Sequence, residues 1–404
     1  MFTLQTKLNL AKTLITNNSP FYVQFFITSR CNLKCKMCNI CQATRSFKEI
    51  PLEKIIKIAD NLKIIGVGIV LLSGGEPFIR KDLPEIVKIF TDRNINVRLQ
   101  TAGLRTEDSI LKQCVINGAT DISVSLDTLN EDLGDYINGV KGSWQRAVDV
   151  ICQISRIFPN KSSVCGLGCV LSRYNFLEIP KILDFATQIG WVLSLVPVHF
   201  TLETKDLSFR SRSNDFEITN KYIPLFKETI NVLKKMKNEG HNLFDSDKYL
   251  DSIVNYVDKQ EPRWRINNIC DSPNLYFIIL PNGDFAPCCD RFSPVNVSTM
   301  DKDFPRILKS KEFKNKIENI TKNCIGCHYG SYPEVTLTFR TWAGFKERVK
   351  LYLKQEKKSI RIFDENDNIS EIIKDLNVKY GYLDKKTEEL FDLNNMTNKA
   401  DNIV

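Results

Sequence analysis

Residues 21–38 read Phe21-Tyr-Val-Gln-Phe-Phe-Ile-Thr28-Ser-Arg-Cys31-Asn-Leu-Lys-Cys35-Lys-Met-Cys38. An aromatic, apolar and β-prone run ends here in a loop that carries three cysteines spaced C-x3-C-x2-C. Outward from this stretch, residues 21–200 alternate between β-rich runs and helical patterns. The expected strands cover 21–28, 68–73, 96–101, 121–126, 164–171 and 191–198. Amphipathic stretches at 52–65, 81–93, 106–117, 143–158 and 177–189 separate them. Such alternation predicts parallel strands joined by right-handed helical crossovers. Six units of this size suit an α/β chain with a partial (β/α)6 TIM-like barrel, and a doubly wound open sheet is the alternative. In a strand–helix barrel the chemistry sits at the C-terminal ends of the strands, which places the cysteine loop at the rim. Gly66-Val67-Gly68 and Gly166-Leu167-Gly168 both lack the third glycine of a dinucleotide fingerprint, and no P-loop is present.

The 404 residues carry 56 basic and 48 acidic side chains, a formal charge of +8, with 43% hydrophobic residues. That balance excludes a disordered or collagen-like chain and allows a core of normal size. Spread over this length, the charge is a poor match to a nucleic-acid footprint. The basic residues thicken over 346–361, but acids interrupt them, and a solvated helix face is the expected outcome. The longest apolar stretch, 64–72, falls short of the ~20 residues that span a bilayer. Residues 1–20 show no secretory signal and suit a short amphipathic surface helix with Leu4, Leu8, Ala11 and Ile15. A cytoplasmic location is expected. Thirteen cysteines against three histidines then point to metal or redox chemistry on thiolates, not to a disulfide framework or a histidine-based hydrolase.

Three thiolates at a barrel rim can hold three irons of a cubane cluster that ordinarily takes four cysteines. The remaining iron is then open to a small molecule. Cys41 offers a fourth ligand, and a zinc knuckle that uses it is the alternative. A second constellation, Ser73-Gly74-Gly75-Glu76-Pro77, ends the second expected strand. Its glycines allow close backbone approach, and Glu76 adds an acceptor at the same rim.

With Ser125-Leu126-Asp127 at the end of the fourth expected strand, these motifs resemble the radical S-adenosylmethionine (SAM) superfamily over residues 21–200. The match includes the apolar Met37 before the third cysteine. The resemblance implies a [4Fe–4S] cluster on Cys31, Cys35 and Cys38, with S-adenosylmethionine chelating the open iron. Gly74, Gly75 and Glu76 would face its methionyl amino group, and Ser125 and Asp127 its carboxylate and ribose. Reductive cleavage would give methionine and a 5′-deoxyadenosyl radical that abstracts a substrate hydrogen atom. Two departures stand out: Thr101-Ala102-Gly103 replaces a common Thr-Asn-Gly, and Asn138-Gly139 replaces a common Arg-Gly.

Downstream, a polar stretch at 203–214 precedes two amphipathic helices. The first carries Tyr222, Phe226, Leu233 and Met236; the second carries Leu250, Ile253 and Val257, with Asp245 or Ser246 as its N-cap. Residues 276–289 form two short runs around Pro281-Asn282-Gly283-Asp284, a hairpin signal. Cys270, Cys288, Cys324 and Cys327 around this hairpin resemble the Twitch pattern of the SPASM/Twitch branch, which binds one auxiliary [4Fe–4S] cluster. Cys289 is left over and could stand in for Cys288. A structural zinc site is the competing use of these thiols, and Cys324-Ile-Gly-Cys327-His328 is formally a haem-attachment string. Cys114, Cys152 and Cys165 read as small buried apolar residues. Cys169 and Cys41 are candidate hydrogen-atom donors, and His199, after the sixth strand, is a candidate acid–base or substrate contact.

The expected organisation is an N-terminal segment (1–20), the radical SAM barrel (21–200), a helical connector (201–265), a small α+β auxiliary-cluster domain (266–335) and a charged helical tail (336–404), frayed at 394–402. The expected function is net oxidative modification of a peptide or small molecule, with a flavodoxin or ferredoxin as reductant. A sugar or cyclitol dehydrogenase or a radical epimerase is the alternative within the class. A non-catalytic zinc or iron–sulfur module is the alternative outside it.

Overall fold

The computed structural model describes residues 4–16, 19–159, 163–200, 214–259, 264–265, 269–290, 295–322, 326–329, 331–356, 359–363 and 369–391. Cys324, most of the polar 203–214 stretch and the 394–402 end lie outside them. Six strands, β1 (Tyr22–Thr28), β2 (Ile69–Gly74), β3 (Asn96–Thr101), β4 (Asp121–Ser125), β5 (Val164–Leu171) and β6 (Val192–Pro197), lie side by side in sequence order, each parallel to the next. Before and between them come α1 (Leu4–Thr16), α2 (Ile40–Ala43), α3 (Leu52–Ile65), α4 (Leu83–Thr91), α5 (Asp108–Ile116), α6 (Glu131–Asn138), α7 (Ser143–Ile157) and α8 (Ile179–Gln188).

The side-chain alternation of β3 and β4 explains where the core sits. Val97, Leu99, Ile122 and Val124 are fully buried against the outer helices, whereas Arg98, Gln100, Asp121, Ser123 and Ser125 are partly exposed on the inner face. The inner faces of β3 and β4 are therefore polar and line a cavity, Ile69, Leu71, Val170 and Val196 add apolar wall from the neighbouring strands, and the apolar core fills the layer between sheet and helices.

The sheet continues beyond the six expected strands. After α9 (Ile223–Asn238) and α10 (Asp247–Lys259), β7 (Tyr276–Ile279) pairs in parallel with β1, and β8 (Phe285–Ala286) returns antiparallel through the 281–284 turn. The auxiliary unit is thus an extension of the barrel sheet. Ser246 is the side-chain N-cap of α10, its hydroxyl accepting from the Tyr249 amide at 3.2 Å.

The remaining helices are α11 (Phe304–Lys309), α12 (Lys311–Lys322), α13 (Ser331–Arg340), α14 (Trp342–Glu356) and α15 (Ile369–Phe391). The expected 336–404 tail is in large part structural. The sheet ends at β6 on one side and β8 on the other, and α13 with α14 bridges from the β1 side to the β6 side. On the β1 side, Tyr22 donates to the Ser331 hydroxyl (3.1 Å) and Phe21 packs on Phe339 (centroids 5.5 Å apart). On the β6 side, Glu334 accepts from the Ser246 amide (2.7 Å) and Arg348 donates to the Phe244 carbonyl (3.2 Å). Helix α15 docks on α8, where Lys379 (2.6 Å) and Tyr380 (3.1 Å) both donate to Asp184. Helix α1 reverses its expected orientation. Thr6 and Thr13 are buried, hydrogen-bonded to Asn94, Asn96 and Ser19, while Leu4, Leu8 and Ile15 stay exposed.

Candidate active site

Strand β1 delivers the chain to the rim, and backbone contacts then fix the cysteine loop. The amides of Lys34 and Lys36 donate to the carbonyls of Asn138 and Ile137 at the end of α6, both at 3.0 Å. Three glycines press against the loop's own carbonyls. A Cβ on Gly74, Gly75 or Gly139 would lie 2.3 Å from the Thr28 oxygen, 1.9 Å from the Arg30 oxygen or 2.6 Å from the Lys34 oxygen. These glycines are dictated by the packing of the loop against β2 and α6, where no side chain fits.

Cys31, Cys35 and Cys38 all line one cavity of ≈ 460 Å³, together with Met37, Gly74, Gly75, Glu76, Ser125 and Asp127. Every residue that the motifs assigned to the cluster or to S-adenosylmethionine therefore faces the same space. The Leu33 amide points to the Cys31 sulfur at 3.5 Å. That contact and a hydrogen bond from Cys41 pull the Cys31 thiol toward the thiolate, and Cys41 is pushed well up in return. Cys41 does not line the cavity. Inside the loop, both polar atoms of the Asn32 carboxamide are buried without a partner. A loop that brings three cysteines to one cavity, with an amide donor at Cys31 and an unsatisfied carboxamide at Asn32, suits a cluster with three cysteine ligands.

Glu76 ties β2 to β3. Its carboxylate accepts from the Phe78 amide (3.1 Å), the Thr101 hydroxyl (2.9 Å) and the Ala102 amide (2.8 Å), and burial pushes its pKa up to about 7. Thr101-Ala102-Gly103, which departs from the common motif, is thus held by Glu76 through Thr101 and a backbone amide. Asp127 accepts one side-chain hydrogen bond, from the Val170 amide at 2.7 Å, and burial raises its pKa to about 7. Cys169 lines the cavity beside it, its thiol 3.7 Å from the Asp127 carbonyl, and burial holds it protonated.

His199 lines the cavity, but its Nε2 accepts from the His328 amide at 2.7 Å. Its ring also stacks on Tyr329, with centroids 4.0 Å apart and planes 16° apart. The ring joins β6 to the cysteine-bearing unit, which is a positioning arrangement.

In that unit the thiols surround a stacked pair, Tyr276 and Tyr332, with centroids 4.5 Å and planes 14° apart. Cys270 lies 3.3 Å from the Tyr276 hydroxyl and Cys289 lies 3.2 Å from that of Tyr332. Cys288 and Cys327 are close enough to raise the pKa of Tyr332 electrostatically. Cys289 lines the cavity and Cys288 does not, so the sheet separates two thiols that the sequence leaves interchangeable. Among the described residues no three His, Cys, Asp or Glu side chains converge tightly enough to hold a single metal ion. Tyr329, Tyr332, Asn138 and Arg98 also face the cavity. Asn138 belongs to the Asn138-Gly139 departure, whereas no motif flagged the other three, because they reach the site through tertiary packing.

Residues 25–186 match the radical SAM superfamily model, and these residues are a radical SAM domain. The PqqA peptide cyclase of Granulibacter bethesdensis is 26% identical over 165 residues, 41% of this chain and 43% of that protein. The Fe-coproporphyrin III synthase of Methanosarcina barkeri is 31% identical over 263 residues, 63% of this chain and 57% of that protein. The chain spans about half the length of the curated relatives it matches. A crystal structure of anSMEcpe with bound AdoMet and a Cp18Cys peptide superposes with a TM-score of 0.53 at 15% identity, covering 95% of this chain and 100% of that one. That likeness extends the fold match past the barrel into the C-terminal cysteine-bearing unit. Among the described residues no helix is long and apolar enough to cross a membrane.

Proposed function

We propose that this chain is an iron–sulfur enzyme of the SPASM/Twitch branch that uses S-adenosylmethionine for net oxidative modification of a peptide or small molecule. One observation carries the reading: the three cysteines of the C-x3-C-x2-C loop, Glu76 and Asp127 face a single cavity walled by the inner face of the sheet. A cluster bound there supplies an electron that cleaves the sulfonium–C5′ bond, yielding a radical able to take hydrogen from an unactivated carbon. Cys31, Cys35 and Cys38 would hold three irons and leave the fourth to the cofactor's amino and carboxylate groups. Glu76 fixes the β2–β3 rim, and Asp127 lines the cavity with one carboxylate oxygen bonded to the Val170 amide. Met37 anchors the cysteine loop by packing against Leu133, Ile137, Tyr174, Val198 and Phe216.

Cys270, Cys288, Cys324 and Cys327 would hold the auxiliary [4Fe–4S] cluster. Four thiolates leave no iron for substrate, so its role is to accept an electron from the substrate, which favours oxidation. A peptide substrate is supported by the name of the Granulibacter relative and by the peptide in the anSMEcpe complex. A flavodoxin or ferredoxin is the expected reductant, in a reducing cytoplasm that keeps the thiols available. A second reading, radical epimerisation, is favoured by Cys169, a protonated thiol on the cavity wall.

Iron and zinc per chain after anaerobic reconstitution test this reading. About eight irons with little zinc agrees with two four-iron clusters. About four irons removes the oxidative role of the C-terminal unit, and zinc without iron removes the enzyme.

A further inference from the structure

The cavity continues below the cysteine rim along the inner face of the sheet. It reaches Arg98 on β3 and Asp121 on β4, where Phe244, Arg348 and Tyr352 enclose it. Three residue steps lead from Arg98 to Thr101 at the rim, a drop of about 10 Å at about 3.3 Å per residue. Val349 lines this end and is 40% exposed, so solvent reaches it beside α14 as well as past the cysteines.

The charges at this inner end are unequally committed. Arg348 is ion-paired with Glu334 and bonded to the Phe244 carbonyl. Burial raises the pKa of Asp121, which weakens it as a counter-charge, while the nearby Arg98 charge, the Val164 amide and the Thr120 side chain act in the opposite direction. Arg98 differs. Among the described residues its guanidinium has no hydrogen bond and no ion pair, although Asp121 is its register partner on the next strand. Its close neighbour is the Phe244 ring, whose centroid lies 5.4 Å from the guanidinium carbon. A guanidinium stays charged at any physiological pH and carries five donors in one plane. An aromatic ring beside it steadies that plane without satisfying any donor.

We propose that Arg98 is the anchor for a carboxylate carried by the substrate, set about 10 Å below the rim where the reacting carbon sits. The inference rests on the function proposed above and narrows its substrate class to molecules with a carboxylate at that reach. The Arg98 charge is felt by Asp121, Tyr22 and Tyr352, but its fork, with no hydrogen-bonded partner among the described residues, matches one planar single negative charge bidentately. A phosphate dianion would need a second free cation, and Arg348, which packs on the same Phe244 ring at 4.0 Å, is already paired with Glu334 while Asp121 adds a carboxylate.

Isothermal titration calorimetry of the anaerobically reconstituted protein, without reductant, tests the site with N-acetylglycine, N-acetylglycinamide and inorganic phosphate. The acid and the amide differ only in the carboxylate. Saturable binding of the acid, at least tenfold tighter than the amide, is expected, with the difference abolished in Arg98→Gln and reduced in Arg98→Lys. Circular dichroism confirms that each variant is folded, and the lysine variant carries the test if the glutamine variant is not. Equal binding of acid and amide, an unchanged preference in Arg98→Gln, or phosphate binding tighter than the acid overturns the proposal. Because no reductant is present, a preference for the acid in a protein that never cleaves S-adenosylmethionine would retract the function and leave the subsite standing.

Discussion

A Cβ atom on Gly75 would lie 1.9 Å from the carbonyl oxygen of Arg30, the residue immediately before the first cluster cysteine. Backbone there cannot yield without moving the loop. Gly75→Ala should therefore displace the cysteine loop, cost about 1–3 kcal/mol by overpacking, and lower the iron bound at Cys31, Cys35 and Cys38. Iron analysis of a variant that also lacks Cys270 and Cys327 isolates that site. Full iron retention would mean that the glycine serves another purpose.

Asp245 sets a pH dependence of stability. Its carboxylate is fully buried, accepts from the Leu195 amide (2.7 Å) and the Ser194 hydroxyl (3.1 Å), and is pushed up to about 8 by burial and then by the charge of Glu334. An acid whose folded pKa exceeds its unfolded value binds more protons in the native chain between the two. Its contribution is then fully present below about pH 4 and is lost as pH rises toward 8. Asp245→Asn keeps the acceptor for the Leu195 amide and removes the titration. Melting temperature should fall more steeply from pH 5 to pH 8 in the wild type than in Asp245→Asn, and parallel curves would contradict the assignment.

His328 should stay neutral across the working range. Its ring is fully buried with both nitrogens unpartnered, and desolvation pushes its pKa down to about 3. A base with a lowered folded pKa contributes stability above its unfolded value near 6.5, lost as pH falls toward 3. With three histidines in the chain, ring NMR signals resolve this directly. The His328 resonance should not move between pH 5 and pH 8. His199→Phe, which leaves the buried His328 amide without its acceptor, should cost about 1–3 kcal/mol.

Cys288 and Cys289 should behave differently although they are adjacent. Cys289 faces the cavity and bonds Tyr332, whereas Cys288 turns away from it. Cys288→Ser should lose the irons of the auxiliary cluster, and Cys289→Ser should keep them. The reverse pattern, read as iron per chain, would exchange the two roles.

Much of this was legible in the sequence because the signals were local. The 96–101 and 164–171 runs coincide with β3 and β5, and the three barrel motifs meet in one cavity as their positions at strand ends required. What stayed hidden depends on distant partners. The Tyr22–Tyr276 pairing that adds β7 to the barrel joins residues with no sequence signal in common. The bridging role of α13 rests on Tyr22, Phe21 and Ser246, each far away in the chain. Helix α6 was not anticipated, although its last residue, Asn138, holds Lys34. The docking of α1 is not legible from Leu4, Leu8, Ala11 and Ile15, because hydrogen bonds from Thr6 and Thr13 decide it.

The most direct test is formation of 5′-deoxyadenosine. The reconstituted protein, given S-adenosylmethionine and dithionite under anaerobic conditions, should release 5′-deoxyadenosine and methionine, and a variant with Cys31, Cys35 and Cys38 changed to alanine should release neither. Full iron loading with no 5′-deoxyadenosine, or equal release by the triple variant, would contradict the assignment of this cavity to radical chemistry.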